Sequence, residues 1–372
     1  MPRPAVPLKV EVDTGVQMRG EVVEDEVDRY RIPIRRATLE DVAREAGVSL
    51  ATADRVVNQR DGVRAKTVES VRRAIAKLDY RANPAAARLA RGQSFRFAFI
   101  LPSSTNAFMA GLMQQVRRIA DWLEPQNAFV DILQLDVFDP EALASGLAGL
   151  AEHFHGVATV ALDHPKVRAA IDDLVARGIA VVTLVSDAPT SRRAHYVGID
   201  NPAAGRTSAS LMGRFLGGRS GKVGVVLGSM SLRDHVERLY GFQQVLSGDY
   251  PGLNLLPVLE GRDQSERNEA AVAKLLAEHP DLIGLYNIGA GNEGIVAELE
   301  AAGRPLVFIA HELTEATRRG LLSGTVAAVI NQDPGHEARS AARLLMAEAA
   351  GEPILLDQER IRIEIFLRDN MS

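Results

Sequence analysis

The sequence predicts an α/β protein: a small all-α domain near the N-terminus, then a large two-lobed core of parallel, doubly wound sheets. Three observations lead there. Residues 38–58, TLEDVAREAGVSLATADRVVN, carry apolar residues at helical spacing on both sides of a glycine. From Phe95 onward, short continuous apolar runs recur at intervals that each leave room for a helix. The 372 residues, 46% hydrophobic, are enough for one large bilobal core and a small extra domain.

Residues 1–36 hold scattered charges and Pro2, Pro4, Pro7 and Pro33 without a sustained period. They read as a mobile leader with no assigned role and no apolar signal core. The first helix begins beyond them. Leu39, Val42, Ala43 and Ala46 fall at i, i+3, i+4 and i+7 and share one face. Gly47 allows a sharp turn, Val48 packs beneath it, and Ser49 is suited to cap the next helix. In that helix Ala53, Val56 and Val57 face inward, while Leu50, Ala51, Asp54, Arg55 and Asn58 point outward. Val68, Val71, Ile75 and Leu78 mark a third helix, with Arg72, Arg73 and Lys77 opposite. Three such helices present the second one outward, which is helix-turn-helix geometry. A generic helical hairpin is the competing reading, and the agreement of cap, turn, period and polar face weighs against it.

Charge follows the same division. Residues 36–92 have 12 Lys/Arg against 7 Asp/Glu, although the whole chain has a net charge of −5. A basic head on an acidic body favours phosphate contact at one end. The stretch YRANPAAARLARGQS, 80–94, follows; Asn83 and Pro84 break the helix, 85–89 fit one further helical turn, and Gly92 ends it. A linker of this kind orders when a partner holds it. The expected domains are 37–80 for the helical head, 81–94 for a hinge and 95–372 for the core.

Within the core, the runs at 95–101, 156–162, 179–185, 222–228, 282–286, 305–310 and 325–330 read as buried strands. Helices are expected over 107–123, 166–177, 203–216, 236–246, 266–278 and 293–301. About a dozen strands exceed one comfortable sheet, hence two lobes. Ligands of such sheets sit at the carboxyl ends of strands, so the turns there matter most. Asn106 and Phe108 follow the first run, and Arg233 and Arg238 the fourth. Asn287 and Asn292 follow the fifth, Glu312 the sixth, and Gln332 and Asp333 the last, near a lobe crossover. A carboxylate, an amide and an arginine beside an aromatic ring suit a sugar, polyol or sugar acid. The two arginines hint at an acidic ligand. Taken singly, each residue serves equally well as a loop group or helix cap.

Several classes fall away. Cysteine is absent, so disulfides and thiolate metal sites are excluded. No apolar run reaches the length of a membrane span, and a cytoplasmic placement is expected. His153 and His155 read as structural or solvated, and no metal or cofactor is called for. One rival remains an NAD-type dinucleotide enzyme. Gly289, Gly291 and Gly294 spell G-x-G-x-x-G between an apolar run and a helix, with Glu312 near the spacing of a ribose-binding acid. Its late position, and the lack of a separate catalytic set, weigh against it. A sugar-binding protein that is not exported is a second rival.

The order of parts, and above all TLEDVAREAGVSLATADRVVN and YRANPAAARLARG, resembles the LacI/GalR family of bacterial transcriptional repressors over roughly 37–370. The resemblance implies a periplasmic-binding-protein-like core and a ligand-responsive homodimer on double-stranded operator DNA. It implies that Thr38, Thr52 and Asn58 reach the phosphate backbone, and that Leu50, Ala51 and Arg55 face base edges. Arg55 is the candidate for a bidentate guanine contact. Ser49, Asn83 and Ala86 belong to the same DNA-facing set, with Asn83 ordering the hinge and Leu89 wedged into the minor groove. Arg238 matches the family's usual ligand arginine, and Glu312 stands where an aspartate is common. Three residues depart from the pattern. Asp54 replaces a serine, so it accepts from a cytosine amino group or weakens binding; Arg64 replaces a small cap; His311 replaces a tyrosine-like neighbour. The chain ends RDNMS without a leucine heptad tail, so a tail-mediated tetramer is not expected.

Overall fold

The computed structural model describes residues 37–81, 92–103, 106–150 and 153–371. They form two compact units, a helical head and an α/β core. The leader and the hinge residues Asn83, Ala86 and Leu89 lie outside the described residues.

The head consists of α1 (Leu39–Ala46), α2 (Leu50–Val57) and α3 (Ala65–Lys77). Thr38 and Asp41 make a reciprocal capping box that starts α1. Gly47 ends it at φ 66°, a left-handed conformation that costs glycine nothing. The Ser49 hydroxyl then accepts from the Thr52 amide at 3.2 Å and caps α2. Arg64 precedes α3 and supplies no side-chain cap. Val42, Val71 and Ala74 form the small buried centre, with Ala46, Val48, Val56, Ile75 and Leu78 packed around it. Lys77 closes α3 onto α1 through Glu45 at 2.6 Å.

The first lobe of the core runs β1 (Phe95–Pro102), α4 (Ala107–Leu123), β2 (Ala128–Leu135), α5 (Pro140–Ala148), β3 (Gly156–Thr159), α6 (Pro165–Ala176), β4 (Ala180–Leu184) and β5 (His195–Val197). The second begins with α7 (Asn201–Leu216), β6 (Gly221–Leu227), α8 (Arg233–Asp249), β7 (Leu253–Leu255), β8 (Leu259–Glu260) and α9 (Ser265–Glu278). It continues through β9 (Leu282–Asn287), α10 (Asn292–Ala302), β10 (Val307–His311), α11 (Glu315–Ser323) and β11 (Ala328–Asn331). Then α12 (Pro334–Ala350) packs back on α4, β3 and β4 of the first lobe. After α13 (Leu356–Glu359), β12 (Glu364–Phe366) rejoins the second sheet.

The first sheet has the order β2-β1-β3-β4-β5, all parallel. The second has β7-β6-β9-β10-β11, the same doubly wound order, extended by β8 on β6 and an antiparallel β12 on β11. Each sheet therefore reverses direction once, between β1 and β3 and between β6 and β9. Those switch points are where the carboxyl ends of strands leave a crevice. All seven apolar runs of the sequence lie on strands. Strand β3 stops at Thr159 although Val160, Ala161 and Leu162 stay buried, the Val160 amide still donating to the Ile100 carbonyl and the Ala161 amide to that of Ser186. The strands that the sequence did not disclose are β2, half-buried at an edge, and β5, β7, β8 and β12, each two or three residues long. No helix among the described residues is long and apolar enough to cross a membrane.

Candidate functional sites

In the head, α2 presents Leu50, Ala51 and Arg55 to solvent, and Leu50 is 46% exposed despite being apolar. The Arg55 side chain has no hydrogen-bond or ion-pair partner among the described residues. Thr38 donates its hydroxyl to Asp41 Oδ2 at 2.7 Å, and Thr52 shares a 2.8 Å bond with Ser49, so both hydroxyls are held in place. Asp54 is not a bare charge on this face. Its Oδ1 accepts from Asn58 Nδ2 at 2.7 Å and its Oδ2 from Arg60 at 3.3 Å. The carboxylate that the sequence set against phosphates is thus partly answered within the head.

In the core, the carboxyl ends of β1 and β4 face those of β6, β9, β10 and β11 across one cavity. Its walls differ in kind. The first lobe supplies Phe108, Met109, Val137, Phe138 and Val160, with Asn106 and Ser186 as polar exceptions. The second supplies Asp234, His235, Arg238, His311 and Glu312, joined by Gln332 from the crossover into α12.

Arg238 is buried at the centre. Its Nε donates to Asn201 Oδ1 at 2.8 Å and its Nη1 to the Ile288 carbonyl at 3.0 Å. Burial opposes the charge, but the carboxylates of Asp234 and Glu312 outweigh that and hold its pKa above the usual value. Glu312 accepts from Gln332 Nε2 at 2.8 Å, and burial pushes its pKa up to about 7. His311 bonds Tyr286 through Nε2 at 2.7 Å; burial and the Arg238 charge push its pKa well down, so the ring is neutral. Five atoms of cavity-lining residues are buried without a partner: Ser186 Oγ, Asp234 Oδ1, Arg238 Nη2, His311 Nδ1 and Gln332 Oε1. Orphans are rare in folded proteins, and five around one cavity mark a place for a hydrogen-bonding occupant. Backbone strain gathers there too. Val185, Arg262, Asp263 and Glu312 all hold left-handed φ, between 52° and 68°.

Asn106, Phe108, Arg238, Glu312 and Gln332 are therefore brought together. Asn106 also caps α4, accepting from the Met109 amide at 2.9 Å. Asn287 lies behind the wall, where its Nδ2 donates to Asn292 Oδ1 at 2.8 Å and to the Gly289 and Ala290 carbonyls. Asn292 in turn donates to the His311 carbonyl at 2.9 Å, and Asp333 caps α12. Arg233 does not line the cavity; it pairs with Asp163 at 3.1 Å and Glu237 at 2.7 Å on the rim. Of these two arginines Arg238 alone lines the cavity, while Arg262 and Arg319 line its adjoining mouth beside Asn106 and Glu312. Sequence reasoning missed Asp234, Ser186 and Phe138. Asp234 was within reach, since it stands one helical turn before Arg238 on the same face.

The glycines of the dinucleotide-like motif have a packing role. The Ala290 amide, which would face a phosphate, donates instead to Asp263 Oδ1 at 2.9 Å. Asn268 donates to the Ala290 and Gly291 carbonyls, and Gly294 lets α10 close against Ser265. His155 accepts from the Arg96 amide at 3.1 Å through Nδ1.

Comparison with known proteins fits both units. A model of bacterial regulatory proteins of the lacI family matches residues 38–83, and a periplasmic binding protein domain matches 97–353. The chain therefore belongs to the periplasmic binding protein domain family through its core, and its head carries the domain of bacterial regulatory proteins of the lacI family. Over 83 residues the chain is 41% identical to catabolite control protein A of Streptococcus mutans, 22% of this chain and 25% of that one. An HTH-type transcriptional regulator, pepR1 of Lactobacillus delbrueckii subsp. lactis, is 36% identical over 110 residues, 30% of this chain and 33% of the relative. The matched stretch thus spans about a quarter to a third of these relatives. The core resembles an ABC transporter solute-binding protein from Burkholderia graminis solved with D-arabinose, at TM-score 0.69 and 23% identity over 75% of this chain and 97% of that one. It also resembles a LacI-type transcriptional regulator structure from Bacteroides fragilis, at TM-score 0.65 and 18% identity over 75% and 98%. These structural likenesses establish the fold of the core.

Proposed function

We propose that this chain is a lacI-family repressor that binds operator DNA through its head and is controlled by a small hydroxylated effector in the core cleft. The observation that carries the effector half is the ring of five orphaned buried polar atoms in the cavity. Arg55, exposed and unpartnered on α2, supports base readout, with Thr38, Ser49, Thr52 and Asn58 at the backbone.

The cavity favours a neutral sugar or polyol over a sugar acid. Arg238, the arginine buried at its centre, already has Asp234 and Glu312 beside it. Acceptors such as Asp234 Oδ1 and Gln332 Oε1 call for hydroxyl donors, while Phe108 and Phe138 suit the C–H face of a ring. Asn287 acts on this ligand through the loop it props.

The protein acts in the cytoplasm as a homodimer whose two heads read the half-sites of a roughly palindromic operator. Effector binding favours one lobe arrangement and so changes hinge alignment. A thermal-shift screen with sugars, polyols and sugar acids tests the effector half, because a cleft ligand raises the melting temperature. A shift with neutral sugars or polyols that also alters operator binding supports the reading. Shifts with sugar acids alone refute the neutral preference, and no shift with any of them refutes the effector class.

A further inference from the structure

A charged cluster away from the ligand-facing groups joins the two lobes along the cleft rim. Arg233 opens α8 in the second lobe, and Asp163 lies between β3 and α6 in the first. Arg233 Nη1 donates to Asp163 Oδ2 at 3.1 Å, across 70 residues of sequence. Arg168 of α6 stands 3.4 Å from the other Asp163 oxygen, and Glu237, one turn along α8, accepts from Arg233 Nε at 2.7 Å. Two further contacts cross beside them. Leu232 is buried in the apolar cluster of the first lobe, and the Arg262 guanidinium lies 5.8 Å over the Phe138 ring. Neither Asp163 nor Arg233 lines the cavity.

We propose that the Asp163–Arg233 pair is a latch that holds the lobes closed over the cleft, setting how tightly an effector is retained without touching it. Helix α8 carries the rim group Arg233 directly before Asp234 and five residues before Arg238, so docking the latch and presenting the ligand groups are one movement. Both partners are partly exposed, with side chains 18% and 38% accessible. A pair of this kind shifts an open–closed balance by about two- to fivefold. A ligand bound by the closed state alone inherits that factor in its affinity.

The consequence for an effector rests on the cleft being its site; the latch itself is measured without one. The experiment is hydrogen exchange on the full chain with no ligand added. Asp163→Asn and Arg233→Gln remove the pair from opposite lobes, and Glu237→Gln leaves it in place. The latch requires cleft peptides covering 288–292 and 310–314 to exchange about two- to fivefold faster in the first two variants. Peptides from β1 and β6 stay at wild-type rates, as does Glu237→Gln throughout. No acceleration in either variant, or an acceleration spread equally over core and cleft, overturns the proposal. A failed sugar screen leaves this result untouched, so the two readings fail separately.

Discussion

Gln332 donates from Nε2 to Glu312 Oε1 at 2.8 Å, fastening the crossover into α12 to a wall of the cleft. The bond joins the end of β11 to the end of β10, where Glu312 is held at φ 68°. Through this bond Glu312 is tied to the segment by which the second lobe connects back to the first. Strain at such a residue persists only when its surroundings over-determine it.

The protonation of Glu312 gives this relationship a pH dependence. Burial raises its folded pKa to about 7 from the ordinary glutamate value of 4.5. The folded state binds the proton more tightly than the unfolded chain, so its contribution is full below about pH 4.5 and lost as pH rises through 7. Melting temperatures from pH 5 to 8 should show a steeper fall for wild type than for Glu312→Gln, a difference of up to about 3 kcal/mol. Glu337, also buried and raised, keeps some slope in the variant. Parallel slopes would show that Glu312 is ionised throughout.

Asp234→Asn preserves shape and removes the charge beside Arg238. Because Asp234 Oδ1 has no protein partner, the fold should persist while affinity for a neutral sugar falls about tenfold, or ~1.4 kcal/mol. Calorimetric titration of a ligand from the screen measures it. Unchanged affinity would place the ligand away from this wall.

Arg238→Met leaves Asn201 Oδ1 and the Ile288 carbonyl without a donor and two buried carboxylates without their cation. The loss should be about 3–5 kcal/mol, seen as a lowered denaturation midpoint for the core. A midpoint within experimental error of wild type would deny Arg238 its central place.

Arg55→Ala tests the head. It should reduce the preference for operator over random DNA by about 1–3 kcal/mol, measured by competition binding at fixed salt. Equal losses on both DNAs would make Arg55 a phosphate contact instead.

Much of this was readable in the residues. The head follows from a cap at Ser49, a left-handed Gly47 and helical spacing, all local signals. The long strands announce themselves because both faces are covered. Short or edge strands do not, since Asp131 and Gln134 interrupt the apolar run of β2 and β8 has only two residues. In the cleft, Glu312 and Gln332 were recognisable from their place after strands, whereas Arg233 was misplaced by the same rule. Nothing local to Arg233 shows that Asp163, on the other lobe, stands within reach. Asp54 is similar in kind: its partners Asn58 and Arg60 lie close in sequence, but only the geometry joins them.

Fluorescence anisotropy of DNA from the chain's own promoter region, set against an unrelated fragment of equal length, tests whether a cleft ligand governs operator binding. Binding to the promoter should be about a thousandfold or more tighter at moderate salt, and should change about 5- to 150-fold when one sugar or polyol is added. Equal attachment to both fragments, with and without every compound, would contradict ligand-governed operator binding.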